Sequence, residues 1–146
     1  MRRGGRVRLL ALALLLAQPV PAQEALPPGT WEPLGGEAFE ALVSGRTLTY
    51  APEGGEVWGV ERFHSDRRVT WTRLGGECLE GTWFPAGPKE AQQVCFAYED
   101  GSGPHCYRFY RHGDAILSTD LDGSRPELSQ DAPLDVAQFG CEYLGS

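Results

Sequence analysis

From Thr47 to Thr119 the chain is cut into short runs rich in β-branched and aromatic residues: Thr47–Tyr50, Val57–Phe63, Arg68–Arg73, Cys78–Phe84, Val94–Tyr98, Cys106–Arg111 and Ala115–Thr119. Between them lie APEGGE, HSDR, LGGE, PAGPKEAQQ, EDGSGP and HGD. Runs of this kind, separated by clusters of turn formers, read as strands. Breaks this short hold no crossover helix, so a parallel sheet is excluded and neighbouring strands pair antiparallel. An open meander leaves two edges unpaired, and closure removes them. The expected fold is all-β: an antiparallel meander closing toward a small lipocalin-like barrel. One short helix is expected at 36–44, where Phe39, Leu42 and Val43 fall on one face. Glu37 and Glu40 suit its first turns, and Gly45 suits the position past its end.

The first residues belong to a different kind of segment. Arg2, Arg3, Arg6 and Arg8 precede an apolar run, Leu9–Ala17, too short to cross a bilayer. Val20-Pro21-Ala22 then supplies small residues where a signal peptidase cuts. Residues 1–22 read as a secretory signal peptide, 23–35 as an extended N-terminal arm, and 36–146 as a single disulfide-bonded β domain. The expected location is periplasmic or secreted, with no membrane span after signal cleavage. The mature chain keeps nine basic side chains against 20 acidic ones, a net charge of −11. Phosphate binding needs clustered Lys and Arg, so nucleic acid is excluded as a partner. A small ligand or a protein partner is expected, acting on a monomer.

The four cysteines, Cys78, Cys95, Cys106 and Cys141, are even in number in an exported chain, which points to disulfides. Side chains alternate along strands. Placing Val94, Phe96, Tyr98, Tyr107, Phe109, Leu79 and Trp83 inward puts Cys78, Cys95 and Cys106 together on the other side. A two-residue turn at Asp100-Gly101 sets Cys95 opposite Cys106. That register gives Pro104 a hydrogen-bonding place it cannot fill. A tight turn at Ala86-Gly87 would instead set Cys78 opposite Cys95. Cys95–Cys106 with Cys78–Cys141 is favoured because the shorter loop needs fewer assumptions, and the alternative stays open. No C-x-x-C is present to support redox chemistry. Zinc would have to draw on these cysteines with His64, His105 and His112, but His105 and Cys106 point to opposite faces.

Other features carry weak chemical signals. STDLDGSRPELS at 118–129 aligns with a calcium loop only if its first and twelfth ligands are serines, so a surface turn is expected. The three histidines stand beside turn residues and are expected to be exposed. No G-x-S-x-G frames a nucleophilic serine. Glu61, Glu80 and Glu99 lie on or next to strands, but their spacing selects no catalytic pair. The aromatics are the most distinctive feature. Trp58, Trp71, Trp83, Phe84, Phe96, Tyr98, Tyr107, Phe109 and Tyr110 crowd the strands, as a core or as the lining of a barrel mouth. Arg67, Arg68, Arg73, Arg108 and Arg111 bring most of the positive charge to the same region. Trp58, Trp71, Trp83, Tyr110 and Arg108 are the candidate ligand surface.

The succession GRTLTY, GVERF, RRVTW, GGECLEGTWF, QVCFAYED and HCYRFY resembles a group of small exported proteins of alphaproteobacteria, over residues 34–119. The resemblance implies a secreted, disulfide-bearing β domain and no particular activity or catalytic residue. The loop PAGPKEAQQ is longer here than in that pattern, which puts the register between 78–84 and 94–98 in doubt.

The leading expectation is a non-enzymatic binding or interaction module with no cofactor, no metal and no catalytic residue. The alternative is an inhibitor of an exported hydrolase, presenting PAGPKEAQQ or the tail 120–133. An enzyme working through carboxylates ranks last.

Overall fold

The computed structural model describes residues 30–132 together with Cys141. Along the described chain run β1 Glu32–Pro33, α1 Gly36–Val43, β2 Thr47–Pro52, β3 Gly59–Phe63, β4 Arg68–Arg73, β5 Leu79–Ala86, β6 Gln93–Tyr98, β7 His105–His112, β8 Ala115–Thr119 and β9 Glu127–Asp131. Strands β2 to β9 pair antiparallel in chain order, and β9 also pairs with β2, so eight strands close a barrel. The all-β meander barrel expected from the alternation of short runs and turns is the fold.

Two strands go beyond the seven that the sequence pattern marks. A surface turn was expected at 118–129, yet β9 begins within that stretch and fills the gap between β2 and β8. Unpaired backbone groups on both of those edges supply the reason. ELSQD carries little apolar signal because Ser129, a buried serine, takes the inward position beside Tyr50 and Ile116. The second is β1, inside the expected extended arm. It pairs Glu32 with Arg111 and Pro33 with Tyr110. It occupies the edge of β7 beyond Tyr107, where β6 has ended. Pro33 is tolerated on such an edge. Residues 1–29, which include the expected signal peptide and most of the expected arm, lie outside the described residues, as do 133–140 and 142–146.

Helix α1 follows its sequence logic. Gly36 packs on Pro85, and its N–H donates to Gln92 Oε1 at 2.8 Å. Gly45, with φ of 77°, follows the end. Phe39 and Val43 are buried. The Phe39 ring meets Phe63 of β3 at 5.7 Å, Trp83 of β5 at 5.1 Å and Phe109 of β7 at 4.5 Å between centroids. The helix therefore lies across the end of the barrel where those three rings point inward. Arg67 pins it from outside, donating to Glu40 Oε2 at 2.8 and 3.1 Å while its guanidinium lies 4.9 Å from the Trp83 ring.

The disulfides are Cys95–Cys106 and Cys78–Cys141, the favoured pairing. Cys95 and Cys106 are direct partners across β6 and β7. The conflict over Pro104 dissolves because the ladder ends at Phe96–His105, before the proline is reached. The turn closes instead through Gly101 N–H to Tyr98 O at 3.0 Å and Tyr98 N–H to Ser102 O at 3.1 Å. Strand β5 runs on to Ala86 and sets Phe84, not Cys78, opposite Cys95.

Replacing the plug residue should show how much the barrel depends on it. Phe39→Ala is expected to lower unfolding free energy by about 3–5 kcal/mol, as for other buried aromatics. Urea denaturation measures it; a loss below about 1 kcal/mol would mean that α1 is not part of the core.

Candidate functional site

The end of the barrel away from α1 holds a cavity of about 490 Å³. It arises from the order of side chains along the strands. Each strand points alternate residues inward. Near α1 these are Phe63, Val69, Trp83, Val94 and Phe109, all buried in the core cluster. Toward the other end they become Tyr50, Glu61, Trp71, Tyr98, Tyr107 and Glu127, which line the cavity. Two inward glycines make room for rings. A Cβ on Gly59 would strike the Trp71 indole, and one on Gly81 would come within 2.7 Å of the Tyr98 ring. Without these glycines neither aromatic could lie where it does.

Glu61 is the chemical centre. In GVERF it takes the inward position between Gly59 and Phe63, and it is 3% exposed. Its Oε2 accepts from Tyr50 Oη at 3.2 Å and its Oε1 from Tyr98 Oη at 3.0 Å. Among the described residues no Lys, Arg or His forms an ion pair with it. Burial disfavours the charged form and pushes its pKa up to about 8, against the pull of the two tyrosine hydroxyls. At neutral pH the carboxyl holds its proton. Burial, and then the nearby Glu61, raises Tyr50 and Tyr98 as well, so both remain phenols.

One wall is a run of aromatic rings. Trp58 and Trp71 meet edge to face at 5.2 Å, and Trp71 meets Tyr50 at 5.7 Å. Trp58 Nε1–H donates to Glu127 Oε1 at 2.9 Å. Burial raises the Glu127 pKa, and the Trp58 hydrogen bond opposes that shift. The Arg73 guanidinium lies 5.9 Å from the Trp58 ring. The site is thus a chamber with an aromatic wall and a small set of polar and charged groups, Glu61 the most buried of them, the usual make-up of a small-molecule site.

Of the candidate ligand surface, Trp58 and Trp71 line the cavity. Trp83 faces inward but lies under α1, in the core. Arg108 and Tyr110 fall on the outward face of β7 by alternation, and Arg108 Nε donates to Leu121 O at 3.2 Å. Tyr50 and Glu127 were not singled out from the sequence. The signal for Glu61 was present: an ionisable residue at an inward place in GVERF breaks the apolar alternation. Glu80 lies elsewhere, on the outer face, where it accepts from Thr70 Oγ1 at 2.8 Å; Thr70 in turn meets His64 Nε2 at 2.8 Å. His64 is partly buried through that contact, and His112 is partly covered beside Trp31 and Thr30, so of the three histidines His105 alone is exposed. The stretch 118–129 is a hairpin, not a calcium loop. Its turn is closed by Arg125, which donates to Asp120 at 2.6 and 2.9 Å. Among the described residues no group of three His, Cys, Asp or Glu side chains is placed to hold a metal, and no helix is long and apolar enough to cross a membrane.

Comparison with family models, curated proteins and solved structures yields no match.

The raised pKa of Glu61 makes stability depend on pH in a definite direction. Unfolded, this carboxyl ionises near 4.5; folded, near 8. Below 4.5 both states hold the proton and burial costs least. Between 4.5 and 8 only the unfolded state releases it, so stability falls as pH rises, by on the order of 4–5 kcal/mol in total. Glu61→Gln is neutral throughout. Its melting temperature relative to the wild type is expected to climb from pH 5 to pH 9. A difference that stays constant across that range would refute the buried, protonated carboxyl.

Proposed function

We propose that the protein is a non-enzymatic binding module that works outside the cytoplasm, periplasmic or secreted, and takes a small molecule into the open end of its barrel. The observation that carries this reading is the aromatic cavity of about 490 Å³ with Glu61, Tyr50 and Tyr98 on its inner surface. Its size falls in the roughly 300–1,000 Å³ range of small-molecule sites. The closed barrel and two disulfides favour a preformed site, which lowers the ordering cost of binding. Disulfides persist in oxidising compartments, in keeping with the signal-like residues 1–22. The likeness to small exported proteins of alphaproteobacteria points the same way.

An inhibitor role draws less support. Gln92, in the loop after β5, is engaged with the first residue of α1, and the loop after β8 is tied by Arg125 and Asp120. The tips of both loops, 87–90 and 121–125, are exposed, so this role stays the second reading.

Titration with N-phenyl-1-naphthylamine, a neutral aromatic probe, tests the binding reading. Saturable fluorescence enhancement is expected for the mature protein. Leu79→Trp, which adds an indole to the cavity lining, should weaken it at least about tenfold, the effect of blocking a contact worth ~1.4 kcal/mol. No uptake by the wild type, or equal uptake by both, would overturn the reading.

A further inference from the structure

We infer that the cavity selects an organic cation: a small amine with an aromatic or apolar body, its ammonium group docked on Glu61 beneath the tyrosine hydroxyls. The inference rests on the cavity being a ligand site and adds the class of ligand.

Four independent features converge on it. The first is the deepest polar group. Both Glu61 oxygens accept a tyrosine hydroxyl, yet no cation of the described chain faces them as an ion-pair partner. A buried carboxylate is stabilised most by a paired, hydrogen-bonded positive charge. An ammonium brought by a ligand would supply that charge and retain its own donors for Tyr50 Oη and Tyr98 Oη. The reluctance of Glu61 to ionise, caused by burial, is the other side of the same fact.

The second feature is the wall. Trp71, Trp58 and Tyr50 form a continuous aromatic run beside Glu61, and ring faces attract cations once water is excluded. The chain already uses this mode at the mouth, where the Arg73 guanidinium stands against Trp58.

The third feature is charge balance. Among the described residues, Glu61, Glu77, Asp100 and Glu127 line the cavity against the guanidinium of Arg73 and the imidazole of His105. An anionic ligand would meet Glu77, Asp100 and Glu127, while a cation meets one guanidinium and can displace the proton of Glu61. The mature chain, at −11, adds an attractive field for positive ligands.

The fourth feature separates an organic cation from a metal ion. Calcium takes about six to eight oxygen ligands, and Glu61 offers one carboxyl flanked by phenols and indoles. The volume of about 490 Å³ fits a molecule with an apolar body, not a bare ion.

Three probes of nearly equal shape test it: 2-(naphthalen-1-yl)ethylamine, 2-(naphthalen-1-yl)ethanol and 1-naphthylacetate, titrated calorimetrically into the mature protein at pH 8.5. The amine is expected to bind about tenfold tighter than the alcohol, and the carboxylate weakest, as a contact of ~1.4 kcal/mol would give. Glu61→Gln is expected to cut the preference for the amine over the alcohol below about threefold. Alcohol binding as tight as amine binding in the wild type would overturn the inference while leaving the cavity a ligand site. So would an amine preference that survives in a Glu61→Gln protein that still binds the alcohol. If none of the three probes binds and N-phenyl-1-naphthylamine is not taken up either, the ligand site itself is refuted. Should Glu61→Gln fail to fold, the order of the three probes on the wild type decides the matter alone.

Discussion

A closed barrel of eight strands has two ends, and Phe39 decides what each becomes. Its ring sits among Phe63, Trp83 and Phe109, so three strands on different sides of the barrel converge on one helix residue. Apolar burial at that end fills the space between the strands. The inward positions of the other end are then free to be polar, because the core is already supplied. The same strand β3 shows the division: Phe63 belongs to the packed end and Glu61, two residues earlier, to the cavity. The helix also explains why Arg67 and Gln92 face it from two different breaks between strands. Both hold α1 in place over the packed end.

Within the open end, Glu61 is a departure from what stability alone would select. Replacing a buried ionisable group by a well-packed apolar one is often neutral or stabilising. Here the group is retained, with two tyrosines arranged around it and two inward glycines, Gly59 and Gly81, giving up side-chain volume beside Trp71 and Tyr98. Stability is forgone at several neighbouring positions for one carboxyl. Groupings of this kind occur where a protein binds or reacts, and a strongly displaced pKa in a cleft is a further mark of such places.

Much of the fold was legible because strand and turn chemistry is local. The seven runs, the helix at 36–44 and the opposition of Cys95 and Cys106 all follow from patterns within a few residues. What escaped was set by distant partners. Strand β9 exists because β2 and β8 both need a neighbour, a condition that nothing in ELSQD reveals. Strand β1 exists because β6 ends before β7 does. The candidate site was half legible for the same reason. Alternation gives the inward residues of each strand but not their depth along the barrel. It could not tell Trp83, under the helix, from Trp71, in the cavity. Nor could it bring Tyr50, Glu61 and Tyr98 together, since they lie on β2, β3 and β6.

The outer face of the barrel offers an instructive contrast to the inner one. His64, Thr70 and Glu80 form a hydrogen-bonded row much as Tyr50, Glu61 and Tyr98 do. In the outer row the acidic group stands on an exposed residue within reach of water, and the row ends on an imidazole that burial holds toward its neutral form. That row is complete as it stands, and Thr70 is buried beneath it. The inner row has a carboxyl, two phenols and no cation, and it faces a chamber rather than solvent. Water cannot screen a charge there as it does outside, so a missing positive partner matters far more. The two rows share their chemistry and differ in what surrounds them, and that difference makes the inner one the place where a ligand has most to contribute.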